Sequence, residues 1–178
     1  AVVASDLDPA VITGQTALTS EPASTDEFLI SDAGVLKRLD ASLIGGGKIG
    51  QVVSTHTDTE SQMSSSTFAD VSGMSVAITP SATSSKVYIS LSLNAGLNQS
   101  AYAFFKLYRG STLIGSNADS SNRIGCNFSF STNDGSAASD GVISNHYQYL
   151  DSPSSTSEVT YKIQGATYNN STLTFNRT

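Results

Sequence analysis

Lys86-Val87-Tyr88-Ile89-Ser90-Leu91-Ser92-Leu93 is the stretch whose reading decides the fold. Side chains alternate sides along an extended chain, so Val87, Ile89, Leu91 and Leu93 share one face while Tyr88, Ser90 and Ser92 share the other. One row belongs in a core and the other in water. The same period of two returns in Met74, Val76 and Ile78, in Ile124, Cys126, Phe128 and Phe130, in Val159, Tyr161 and Ile163, and in Leu173 and Phe175, each among polar neighbours. These are the expected inward residues. Strand-like runs spaced by about 8 to 14 residues have the cadence of a sandwich or barrel. The chain therefore reads as all-β, with a main domain over residues 49–178.

Within that domain Ala101-Tyr102-Ala103-Phe104-Phe105-Lys106-Leu107-Tyr108-Arg109 is apolar on both faces. Phe105 and Leu107 point one way; Tyr102, Phe104 and Tyr108 point the other, and a neighbouring subunit is the expected cover for that second face. Each ring so buried contributes about 1.5 to 3 kcal/mol. Arg109-Gly110-Ser111, Ile114-Gly115-Ser116 and Ser152-Pro153-Ser154-Ser155 are turn signals, and residues 131–140 form a polar loop. The closing strand at Leu173 and Phe175 stitches the C-terminal end into the sheet.

Upstream, residues 1–21 are polar, aperiodic and contain Pro9, which reads as an extended arm. Phe28-Leu29-Ile30 and Val35-Leu36 flank Asp32-Ala33-Gly34, a three-residue loop with glycine placed for a hairpin bulge. A helix is the competing reading, since Val35, Leu36, Leu39 and Leu43 lie near helical spacing. Gly45-Gly46-Gly47 then breaks the chain, so residues 1–48 form an arm and linker carrying a small hairpin.

Composition excludes several functions. The 178 residues include 32 Ser and 18 Thr but only 13% charged residues, so hydroxyls keep the surface wet. The net charge of −6 and the scattered basic residues argue against nucleic acid. No apolar run reaches membrane-span length, and no charged start with an apolar stretch suggests a signal peptide. A start at Ala1 is compatible with a chain that has lost its initiator Met. The single cysteine, Cys126, rules out an internal disulfide, leaving packing or association to supply stability.

Chemical motifs are sparse. A structural metal site needs about four ligands at tight spacing, and His56 and His146 lack such company. His56 with Asp58 and Glu60 reads as a solvated face, and His146 as a surface or interface residue. Cys126 reads as a buried, unreactive thiol. Ile44-Gly45-Gly46-Gly47-Lys48-Ile49 lacks phosphate-loop spacing and is a hinge. Asp134, Asp140 and Asp151 are the clustered carboxylates for glycoside cleavage, but they fall in expected loops and no Trp is present to stack a sugar. No catalytic, cofactor or metal residue is assigned.

Three stretches resemble a small-domain family of bacteriophage tail-fibre and other virion proteins. They are Phe105-Lys106-Leu107-Tyr108-Arg109-Gly110-Ser111-Thr112-Leu113-Ile114-Gly115, Tyr149-Leu150-Asp151-Ser152-Pro153 and Val159-Thr160-Tyr161-Lys162-Ile163-Gln164. The ending Phe175-Asn176-Arg177-Thr178 fits the same pattern, and residues 26–38 look like the segment that precedes such domains. The resemblance implies an antiparallel jelly-roll-like β-sandwich, a homotrimer on the virion surface, and an arm that binds other virion proteins through Phe28, Leu29, Ile30, Val35 and Leu36. It implies a fibre or knob whose loops meet a host-surface glycan, with Asn117, Asn133, Asp134, Tyr168 and Asn169 as candidates. The chain is short for a long tail fibre, so a capsid decoration or head-fibre protein is the alternative; a polysaccharide depolymerase is the less favoured one. Neither a cofactor nor membrane insertion is implied.

Overall fold

The computed structural model describes residues 14, 16–17, 19–20, 22–23, 25–44, 49–116, 119–132 and 141–176. The chain divides into two units, Ala1–Gly50 and Gln51–Thr178. In the first, β1 (Glu27–Asp32) and β2 (Val35–Asp40) pair antiparallel from Glu27↔Asp40 to Asp32↔Val35. The hairpin reading therefore holds over the helical one. Its turn, however, has two residues and not three. Ala33 (φ 51°) and Gly34 (φ 82°) both adopt the left-handed conformation, which matches strand twist and leaves Asp32 in the ladder. Cross-strand pairs join Lys37 to Asp32, and Arg38 to Glu27 at 3.0 Å.

The second unit is an antiparallel β-sandwich. Its strands are β3 (Ser61–Met63), β4 (Ala69–Ile78), β5 (Val87–Leu97), β6 (Tyr102–Arg109), β7 (Thr112–Leu113), β8 (Phe128–Ser131), β9 (Ile143–Asp151), β10 (Val159–Thr167) and β11 (Leu173–Phe175). One sheet runs β4-β10-β6-β7, with β8 also pairing β6; the other runs β3-β11-β5-β9. β5 keeps the period read from sequence: Val87 and Leu93 are buried, Ile89 and Leu91 half-buried, and Tyr88, Ser90 and Ser92 exposed. β11 lies between β3 and β5, so the last described strand is an interior one.

Phe105, Leu97, Leu107 and Leu173 are fully enclosed between the sheets. Phe105 stacks on Phe128 at 4.7 Å, and Phe128 on Tyr147 of β9 at 5.5 Å, so aromatic contact crosses from sheet to sheet. The expected row Ile124, Cys126, Phe128 and Phe130 is shorter than the sequence suggests. Pairing begins only at Phe128; Ile124 is exposed and Cys126 half-buried. Asn127 explains the interruption. Its side chain accepts from Leu107 N and donates to Ile114 O and to the Tyr147 hydroxyl, all at 2.8–2.9 Å, while its own N–H donates to Phe105 O. The chain is pinned there by side-chain bonds, and the alternation cannot extend upstream through it.

β4 departs from the ladder midway. Its partners on β10 run from Ser75 opposite Lys162 directly to Asp70 opposite Gln164, so Val71–Met74 bulge opposite Ile163. Gly73, at φ +75°, supplies the left-handed residue the bulge requires.

Candidate functional site

At one end of the sandwich the carboxylate of Asp151 is buried. Arg109 Nη1 donates to Asp151 Oδ1 at 3.0 Å and Oδ2 at 2.9 Å, and the Tyr161 hydroxyl donates to Oδ2 at 2.7 Å. Arg109 and Tyr161 belong to one sheet and Asp151 to the other, so the cluster ties the layers together. Burial first, and then the neighbouring Asp151 carboxylate, push the Tyr161 hydroxyl well above its usual range. Asp151 is thus the last residue of β9 and a structural anchor, not a loop carboxylate. The expectation erred because a Pro two residues on marks the turn, while the strand runs up to it. Residues 105–115, 149–153 and 159–164 each supply one member: Arg109, Asp151 and Tyr161. Asp134 and Asp140 lie outside the described residues.

The outward face of the β4-β10-β6 sheet is divided into two zones. Its middle is polar and closed by the chain itself. Lys106 is buried under Phe68, with its ammonium 4.0 Å from the ring centroid, and donates to Asp119 at 3.0 Å. Beside it Asp70 accepts from Lys162 at 2.9 Å and Gln164 at 2.7 Å. Those bonds hold the Asp70 carboxyl below its ordinary range; Lys106 and the Gly125 N–H do the same for Asp119. Tyr108, half-buried, lies beyond Lys106 along β6.

The other zone is aromatic. Tyr102 and Phe104 lie side by side at 6.3 Å with planes 16° apart, and Tyr168 stands at 88° to Tyr102 with centroids 6.2 Å apart. The register explains the meeting: Thr167 pairs with Ala103, which brings the next residue, Tyr168, level with Tyr102. Tyr168 is 53% exposed and Tyr102 41%. The structure thus joins two residues assigned to a subunit interface with one assigned to a ligand loop, and leaves Tyr108 out. Asn169, exposed at φ 55°, follows Tyr168. Asn117, Asn133 and Asp134 lie outside the described residues.

In the first unit Leu29, Leu36, Val35 and Phe28 are all exposed, at 70%, 67%, 57% and 40%, and Ile30 is half-buried. Pairing places Phe28, Ile30, Val35 and Leu39 on one face and Leu29 and Leu36 on the other, so both faces are apolar. Between the sheets of the second unit a cleft of about 410 Å³ is lined by Met74, Val76, Ile89, Leu91 and Ile163. Among the described residues no three His, Cys, Asp or Glu side chains cluster to hold a metal, and His56 and His146 are both exposed. Burial raises the Cys126 thiol, which disfavours its thiolate.

No protein-family model matches the chain, and no curated protein is significantly similar to it. Sequence reasoning missed Arg109, Tyr161 and Asn127 as cross-linking residues. Only a charged residue inside a strand, Arg109, offered a signal.

Proposed function

We propose that this chain is a bacteriophage virion structural protein, a homotrimeric surface fibre or knob. Residues 1–48 attach it to other virion proteins and the sandwich is displayed on the tail or capsid exterior. One observation carries the reading: a two-stranded hairpin with apolar side chains exposed on both faces. An isolated hairpin is marginal in water, and large apolar side chains left exposed on both of its faces suit docking to a partner. The sandwich, by contrast, encloses Phe105, Leu97, Leu107 and Leu173 between its own sheets. Its few charges and the sealing of Asp151 by Arg109 and Tyr161 suit a scaffold that binds and assembles rather than one that cleaves.

The double substitution Leu29→Ser/Leu36→Ser tests the reading. Attachment to virions and trimer mass in light scattering should both be lost while the β-sheet circular dichroism persists. A variant that still binds virions and still forms the wild-type oligomer would sink the proposal. In reconstructions of intact particles, threefold density at the tail supports a fibre knob, and copies spread over the shell support the decoration protein.

A further inference from the structure

We infer that the cleft between the two sheets of the second unit is a binding site for an unbranched aliphatic chain with an uncharged polar head, as in a fatty alcohol. Its walls are rows of inward residues that stay partly open. Ile89 and Leu91 of β5 line it from one sheet and Met74 and Val76 of β4 from the other, and all four are only half-buried. Leu93, Ile163 and Phe175, all buried, line it too. Sandwich interiors ordinarily pack such rows to the density of an organic crystal. Here the β4 bulge at Val71–Met74 interrupts pairing with β10 beside the cleft, and a volume of about 410 Å³ remains. That size falls within the roughly 300–1,000 Å³ of small-molecule sites.

The lining decides the class of ligand. Among the described residues that form it there is no Asp or Glu; Lys162 is matched by Asp70 at 2.9 Å, and His56 is exposed. The Tyr161 hydroxyl is committed to Asp151. No buried side-chain nitrogen or oxygen among the described residues lacks a hydrogen-bond partner, so the interior offers nothing for a polar group to bond. A charge or a peptide group placed there would lose its water without compensation, whereas hydrocarbon would not. An added peptide strand also meets an occupied edge: Thr55 donates to Gly73 O at 3.5 Å, and Asn176 donates to Thr57 O at 2.9 Å. Shape agrees with chemistry. Ile89 to Leu93 extend about 13 Å along β5, and the aromatic residues of the lining, Tyr161 and Phe175, are buried and present no open ring face. A slot walled by aliphatic side chains suits a flexible chain better than a planar ring. Ser54 and Thr55, exposed at the cleft with His56, meet the polar head.

The chain has two methionines, Met74 in the cleft and Met63 outside its lining, so NMR of methyl-labelled methionine reads the site against an internal reference. On titrating the full chain with n-alkanols from hexanol to decanol, the Met74 signal should move and the Met63 signal should stay. Affinity should rise about fourfold per added methylene until the slot is filled. Decanoate and 1-naphthol, matched to decanol in carbon count, should bind more weakly, the first for its charge and the second for its shape. Leu91→Gln should weaken decanol about tenfold, and Leu150→Ser, at an exposed position of β9, should leave it unchanged. The inference is overturned if Met74 does not move, if affinity ignores chain length, if decanoate or naphthol binds more tightly than decanol, or if folded Leu91→Gln binds like wild type. Should Leu91→Gln not fold, the wild-type series decides alone. A fall in oligomeric mass on adding decanol, followed by light scattering, overturns it too, because a second copy would then be the occupant of the slot. The site does not depend on the virion role: loss of attachment in the hairpin variant tests that role, and alkanol binding tests this one.

Discussion

Asp151 shows how one side chain can hold two sheets. A carboxylate with 5% exposure is costly unless its charge is matched and its oxygens are bonded, and here Arg109 and Tyr161 do both. Removing the acceptor leaves Arg109 and the Tyr161 hydroxyl without it. Asp151→Ala should therefore cost about 3 kcal/mol in urea unfolding, more than a typical surface change; a loss under about 1 kcal/mol would show that the cluster contributes little. Tyr161 adds a pH dependence. Its hydroxyl is harder to ionise in the folded chain, so the stability it contributes is complete below the ordinary tyrosine range and declines as pH rises above about 10. Unfolding midpoints measured from pH 8 to 11 should fall at the alkaline end, and Tyr161→Phe should flatten that fall even as it lowers stability at neutral pH.

At the scale of strands and turns, backbone conformation sets what each position tolerates. Gly115, at φ +68°, faces Tyr147 and Tyr149 so closely that an added Cβ would lie 2.8 Å from the Tyr147 hydroxyl. Gly115→Ala combines left-handed strain with a clash at the residue that Asn127 also grips, and should destabilise by about 2 kcal/mol. Wild-type stability in that variant would contradict the packing described. In the hairpin, Ala33 occupies a left-handed position that Asn adopts more readily. Ala33→Asn should raise amide protection of β1 and β2 by a few tenths to about 1 kcal/mol. The strands themselves were legible in the sequence because burial imposes a period of two, as in Val87 to Leu93. Their partners were not. That Tyr168 reaches Tyr102 depends on the β10-β6 register, and that Asp151 meets Arg109 depends on how two sheets face each other; neither leaves a local pattern. The row through Ile124 misled because a hydrogen-bonding Asn127 outweighs alternation.

Across the whole molecule, low charge and a wealth of hydroxyls determine which force can drive assembly. Each chain carries −6, and the cation–carboxylate pairs on the sandwich are spent internally. Bringing copies together therefore opposes like charges, and the favourable contribution must come from apolar surface such as that of Leu29, Val35 and Leu36. The two contributions respond oppositely to salt. Added salt shortens the screening length from about 10 Å at 0.1 M to about 3 Å at 1 M, weakening the repulsion, while apolar burial is not screened. The proposed trimer should then persist, and tighten, as NaCl is raised through that range in sedimentation experiments. Dissociation with rising salt would mean that ion pairs between copies hold the assembly, and the exposed hairpin would lose its place as the element that drives it.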